Sequence, residues 1–183
     1  SYYIDHTIYT GRPADTTSRL PKEIRTYDLL DSLGIAYARA DHDTLPTMEA
    51  CQEVGNLLGI EICKNLFLRN TQKTAFYLLI LPGSKKFKTA ALSKQIGSAR
   101  LSFAEPEFME QYLNITPGSV SVLGLMNDPE NKVRLLIDKD ILKNHPYFGC
   151  PANLADTSLM HSQPAQIPEA GRNGPLDRGR CLS

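Results

Sequence analysis

Lys64 and Asn65 stand side by side in "ICKNLFLRN", residues 62 to 70, a stretch whose other residues read as a half-buried strand. Lys and Asn both fill a pleated surface poorly, so packing alone does not account for them. Two readings fit the residues. Lys64 can lie along a strand edge with its head in water. Alternatively it is a cation held near a groove, where its charge positions a phosphate or polarises an ester.

Other site chemistries find less support. "PGSVSVLG" places Ser119 and Ser121 beside glycines, but the spacing gives no Gly-x-Ser-x-Gly elbow and no histidine stands as an obvious partner. These serines are strand and turn residues or hydrogen-bond donors to a ligand. His6, His42, His145 and His161 are scattered without helical pairing, so no metal site is implied. "LPGSKKFKT" lacks the Gly-Lys-Ser/Thr ending of a phosphate-binding loop. Cys51, Cys63, Cys150 and Cys181 form no CxxC pair, and the first two sit among apolar neighbours as small core hydrophobes. No cofactor is implied.

The elements that must hold Lys64 follow from pattern. Residues 1–21 are polar and Tyr/Thr-rich and read as an arm laid on the surface. "PKEIRTYDLLDSLG" puts Ile24, Tyr27, Leu30 and Leu33 on one helical stripe, with Pro21 before it and Gly34 as the stop. "IAYARADHD" alternates as a strand, and Thr47 can cap a helix carrying Met48, Cys51, Val54 and Leu58, closed by Gly59. "ICKNLFLR", a turn at "NTQKT" and "AFYLLILP" form a hairpin whose second strand is buried on both faces. Thr89 can cap a short helix ending at Gly97, and Pro106 opens another through Leu113. "GSVSVLGL" and "KVRLLID" read as further strands. Helices and strands mix without βαβ alternation, which predicts an α+β sheet or partly closed barrel with helices outside.

Bulk properties narrow the setting. A chain of 183 residues, 42% apolar and 22% charged, suits one globular domain. Lys plus Arg equals Asp plus Glu at 20 each, yet Lys64, Arg69, Lys73, Lys85, Lys86, Lys88, Lys94 and Arg100 face the single acid Glu61 between residues 61 and 100. That band is a solvated face or a polyanion-binding one. No apolar run approaches the ~20 residues of a membrane helix, and the start of the chain lacks a signal-peptide pattern. A reduced, cytoplasmic protein is the expectation. After about Cys150 the sequence turns rich in Pro, Gly, Gln and Arg, so residues 160–183 are expected to be disordered.

Taken together, "KEIRTYDLLDSLGI", "CKNLFLRN", "FYLLILPGSKKF", "SKQIGSARLSFA", "TPGSVSVLGLMND" and "VRLLIDKDIL" resemble, in order and distance, the YbaK/ProX-type aminoacyl-tRNA deacylases, trans-editing relatives of the prolyl-tRNA synthetase insertion domain. The similarity runs from about Lys22 to Phe148 and is strongest to the free-standing branch that removes alanine from mischarged prolyl tRNA. It implies a mixed α/β, barrel-like sheet with helices around a central cleft, in a domain over 22–159. By the same resemblance Lys64 matches the family's catalytic lysine, Asn65 the asparagine of this branch, and Gly118, Ser119, Val120 and Ser121 the substrate loop. That loop commonly ends in proline where this chain has Val122. Near "GCPAN" the family has a His-Pro pair, and here Cys150 precedes Pro151, with Asn153 retained. The implied partner is mischarged tRNA, with prolyl-tRNA synthetase as an associate. Lys85, Lys86, Lys88 and Arg100 are candidate contacts to tRNA phosphates, although Arg100 suits a structural ion pair as well. The departures leave two alternatives open: a tRNA- or synthetase-binding module without turnover, and a deacylase for another residue such as Cys or Ser.

Overall fold

The computed structural model describes residues 1–144, 147–151 and 157–162. Two four-stranded sheets organise them. In the first, β3 (Cys63–Asn70) and β4 (Phe76–Pro82) form the expected hairpin, with β5 (Leu101–Phe103) antiparallel on the outer edge of β3 and β6 (Val133–Ile137) parallel to β4. As its apolar run requires, β4 is central and buried on both faces: Leu79 and Leu81 pack with Leu68 and Leu92, whereas Leu78 and Phe76 pack with Phe67 and Leu113. The second sheet runs β1 (Tyr9–Thr10), β2 (Tyr37–Asp41), β8 (Thr157–Ser162), β7 (Tyr147–Pro151), all antiparallel. A parallel bridge between Ile62 and Gly149 joins the sheets. The mixed α+β architecture is the expected one, and the barrel-like curvature stops short of a closed barrel among the described residues.

Helices cover the sheets. α1 (Pro21–Ser32) ends before Gly34, whose φ of +66° suits a residue without Cβ. Its buried side is Glu23, Thr26, Tyr27 and Leu30, rotated from the stripe expected of the apolar residues. Glu23 earns its buried place by accepting from the Tyr27 hydroxyl and from Arg19 Nη1 at 3.0 Å. Arg19 and Arg39 both reach Asp41 on β2, fastening α1 to the second sheet. Thr47 caps α2 (Met48–Leu58) as expected, accepting from the Ala50 N–H at 3.2 Å.

Four expectations need correction. Thr89 is the first residue of α3 (Thr89–Ile96) and Lys88 its N-cap, so no side chain caps that helix. After α4 (Pro106–Leu113), "GSVSVLGL" is not a strand: Val122–Asn127 is a 3-10 helix, because Ser121 Oγ accepts from the Leu123 N–H and turns the chain before it can extend. The N-terminal arm is part of the architecture, since Tyr9 and Thr10 pair with Arg39 and Ala38 and Ile4 is buried against Val54 and Leu58. Finally, α5 (Lys139–Asn144) and the hairpin β7–β8 lie where no element was read. Residues 160–162 of the expected tail belong to β8, and the remainder lies outside the described residues.

The junction between the sheets depends on one tight approach. A Cβ built on Gly83 would lie 2.4 Å from the Ile62 carbonyl oxygen, which is backbone and has no side-chain freedom with which to yield. Gly83→Ala is therefore expected to destabilise the fold by about 1–3 kcal/mol, as overpacking does. The midpoint of chemical denaturation measures it, and an unchanged midpoint would show that the junction yields freely.

Candidate functional site

β3 pairs with β4 along Cys63–Arg69 but with β5 only over Leu68–Asn70. The outer edge at Lys64–Leu66 is left open, and the chain next meets β7 through the bridge at Ile62. A cavity of about 250 Å³ occupies that gap, lined by Met48 and Cys51 of α2, Ile62 to Leu66, Gly118, Val120 and Gly149. At an open strand edge residues of both parities reach the same space, which is why five consecutive positions line it.

Lys64 is half-buried, and its Nζ donates to the Lys85 carbonyl at 2.9 Å. That carbonyl is itself held, because the Lys85 ammonium meets Asp138 at 2.7 Å and Asp140 at 3.0 Å. Asp138 is buried at the mouth of α5, its N–H donating to the Ile80 carbonyl. The two carboxylates, Asp138 foremost, raise the Lys85 pKa above its ordinary value. One of the three ammonium protons of Lys64 is thus committed to the protein, and two remain for other acceptors.

Asn65 carries the clearest sign of an unfilled role. Its Oδ1 is buried without a hydrogen-bond partner among the described residues. A buried, unmet acceptor costs about 1–3 kcal/mol, and Asn65 lines the cavity. In the loop before Val122, Gly118 adopts φ +94°, a conformation that excludes most side chains, and among the described residues nothing beyond its chain neighbours lies within 4 Å of where its Cβ would be. Backbone conformation therefore demands this glycine, without any crowding by protein atoms. The Gly118 and Val120 N–H groups make no hydrogen bond among the described residues, whereas the Ser119 N–H donates to Thr116 at 3.2 Å.

The structure thus brings Lys64, Asn65, Gly118 and Val120 to one cavity. Ser119 and Ser121 are fully buried and occupied: Ser119 Oγ donates to the Thr116 carbonyl at 2.9 Å, and Ser121 caps the following turn. Their hydroxyls hold the loop's shape. Lys85 is taken up in its ion pairs, Lys86 and Lys88 border a second, smaller cavity, and Arg100 is exposed with no ion pair among the described residues. Cys63 packs against the core as expected and also lines the cavity, whereas Cys51 belongs to the cavity wall and to no core cluster among the described residues. The side chains of Cys150 and Asn153 lie outside the described ones. Met48, Ile62, Leu66 and Gly149 were missed. Exposed Met48 one turn before Cys51 was the available signal for the helix wall, whereas Gly149 depends on a long-range pairing.

No group among the described lining residues is a ready nucleophile. Burial, with Glu61 adding to it, pushes the Cys63 thiol up to about 12, and burial raises Cys51 in the same direction. Both remain neutral thiols near pH 7, and the thiolate is the reactive form. What the wall offers is one ammonium, one amide, two free backbone donors and an apolar enclosure.

Comparison with known proteins identifies what the chain is similar to. A family model for the aminoacyl-tRNA editing domain matches residues 42–166. The prolyl-tRNA editing protein ProX of Acetoanaerobium sticklandii is 34% identical over 113 residues, which cover 62% of this chain and 69% of that protein. Among solved structures, a trans-editing enzyme candidate for prolyl tRNA synthetase superposes with a TM-score of 0.61 at 19% identity, covering 83% of this chain and 92% of the other. A scaffold used in computational epitope grafting gives a TM-score of 0.62 at 17% identity, with 83% and 93% covered.

The raised thiol has a direct consequence. Iodoacetamide at pH 8 is expected to alkylate Cys63 at least about 100-fold more slowly than a free cysteine, given its small thiolate fraction. Peptide mass spectrometry of a time course reads the rate, and alkylation at the free-thiol rate would mean the wall is open to ionisation.

Proposed function

This chain belongs to the aminoacyl-tRNA editing domain family, and we propose that it is the trans-editing deacylase of Ala-tRNA(Pro), with Lys64 as its central catalytic residue. The family's chemistry is hydrolysis of the ester between an amino acid and the terminal ribose of a mischarged tRNA. One observation carries the residue assignment: a cation, an amide with an unmet acceptor and two unpaired backbone donors converge on one small cavity.

An aminoacyl ester is already activated, so such a site needs only to orient it and stabilise charge. In this reading Lys64, braced by the Lys85 carbonyl, turns its remaining protons to the terminal phosphate or ribose, as a compact point charge does well. Asn65 Oδ1 accepts from a ribose hydroxyl, which meets its unpartnered oxygen, or its amide N–H donates to the ester. The N–H groups of Gly118 and Val120 receive the carbonyl oxygen as it gains negative charge. The Ser119 N–H takes no part, because it is committed to the Thr116 carbonyl. Water adds to the carbonyl carbon, the ester C–O bond breaks, and the departing ribose oxygen takes a proton, relayed from water by the neighbouring ribose hydroxyl. The products are free alanine and tRNA with its terminal hydroxyls restored. No side chain of the wall is required as the base.

Selection against proline is steric in this reading. Met48, Ile62, Leu66 and Val120 bound the cavity, and one or two carbons are worth only about 1–3 kcal/mol in a synthetic site. A second, smaller sieve that rejects the cognate residue multiplies that discrimination. The mischarged substrate would come from prolyl-tRNA synthetase.

Deacylation of Ala-tRNA(Pro) by the native chain and by Lys64→Ala tests the assignment, with Cys- and Ser-charged tRNA(Pro) run alongside. The substitution is expected to lower kcat/KM by about 10²- to 10³-fold, the usual loss when one preorganised charge-stabilising donor is removed. Equal turnover in both proteins would remove Lys64 from the mechanism, and faster hydrolysis of the Cys or Ser ester would reassign the substrate.

A further inference from the structure

Phe103, the last residue of β5, is 58% exposed. It lies opposite Leu68 on β3. Side chains alternate along a strand, so Leu68, Leu66 and Lys64 share one face, and Phe103 sits on that face about 13 Å along the strand from Lys64 at ~3.3 Å per residue. Phe87 packs against the same face and meets Phe103 edge-on, with ring centroids 6.3 Å apart and planes at 70°. Phe87 also borders a second cavity of about 100 Å³, flanked by Lys86 and Lys88. Both lysines are exposed and make no ion pair among the described residues. Lys85, whose carbonyl holds Lys64, lines that cavity too. A short surface path thus leads from the Lys64 ammonium over residues 85–88 to half-buried Phe87 and exposed Phe103.

An isolated exposed phenylalanine is unremarkable. An exposed ring held edge-on by a second ring that is itself flanked by two unpaired cations is different, because it joins a π-face to phosphate-attracting charge, the composition of grooves that carry single-stranded nucleic acid. An apolar protein partner would satisfy the rings and leave the lysines unmet. Paired bases stack on one another and leave no face to share, so the occupant is an unpaired base.

We propose that Phe87 and Phe103 form a stacking platform for an unpaired base of the RNA 3′ end, with Lys86 and Lys88 meeting the adjoining phosphates. The proposal rests on the reading of this chain as an aminoacyl-tRNA deacylase and adds how the segment preceding the terminal adenosine is held while the ester reaches Lys64. Base stacking on an aromatic ring tolerates any sequence, so the platform would register the strand without selecting the tRNA.

The test is fluorescence anisotropy with a labelled single-stranded RNA ending in CCA, at two salt concentrations. Phe103→Leu is expected to weaken binding about 5- to 150-fold, and Phe103→Tyr to restore native affinity. Phe103→Leu should keep the native salt dependence, whereas Lys86→Ala should flatten it, losing about one phosphate contact from the slope. Native affinity in Phe103→Leu, or no RNA binding by the native chain, overturns the platform even where Ala-tRNA(Pro) is hydrolysed. Aromatic-dependent RNA binding by a chain that hydrolyses no aminoacyl-tRNA leaves the platform standing and overturns the deacylase reading.

Discussion

The hydrogen bond from Lys64 Nζ to the Lys85 carbonyl fixes the site around it. A lysine has four rotatable bonds, and ordering it costs up to about 2 kcal/mol of side-chain entropy. A hydrogen bond from a charged donor contributes about 1.5–3 kcal/mol, enough to offset that cost only if the acceptor is itself stationary. Here the acceptor belongs to a residue whose own side chain is tied to Asp138 and Asp140, at the turn from β6 into α5. Two lysines of opposite purpose are thereby coupled. Lys85 gives its charge to the protein, and its backbone spends the result on holding the charge of Lys64 at the cavity.

The cavity itself is a consequence of incomplete pairing. Had β5 continued along β3 past Leu68, the edge at Lys64–Leu66 would be covered and the sheet would simply be wider. Instead β5 stops at Phe103, and among the described residues the backbone of the second sheet pairs with the first through the bridge of Ile62 and Gly149. An open strand edge is ordinarily a liability because its backbone groups invite pairing. This edge is walled by α2, by the loop at Gly118 and by β7, so that a small ligand can enter where another strand cannot.

Much of this was legible in the sequence where the determining physics is local. The hairpin, the helices at 21, 48 and 106, and the all-buried character of β4 follow from periodicity and from Pro, Thr and Gly at their ends. Lys64 and Asn65 stood out because they fit a strand badly, and residues that break a local rule often serve a site. What failed was decided by side-chain bonds that composition does not show or by contacts distant in sequence. "GSVSVLGL" has strand-forming composition, yet Ser121 bonds locally and Gly124 presses on Ile115, so the segment coils. The hairpin β7–β8 forms because β2 offers an edge more than 100 residues earlier, which no window of sequence reveals. The cavity walls suffer the same limit: Cys51 looks like a core residue until the gap beside it is known.

The basic band shows most sharply how sequence distance misleads. Read linearly, residues 61–100 carry many cations against one acid, but the fold supplies acids from outside that window. Glu105 takes Arg69 at 2.6 Å and Lys73 at 3.3 Å, and its carboxyl is held down to about 2 by that company. Asp138 and Asp140 take Lys85. The cations without an ion pair among the described residues are then Lys64, Lys86, Lys88, Lys94 and Arg100. Exposed pairs are worth little to stability, yet they decide which charges are free to meet a polyanion. The strength and salt dependence of any RNA contact should therefore follow this smaller set, three of which lie on the path from the cavity to Phe87 and Phe103. The field that a nucleic acid would feel is set by what the fold leaves unpaired, and a count along the chain overstates it.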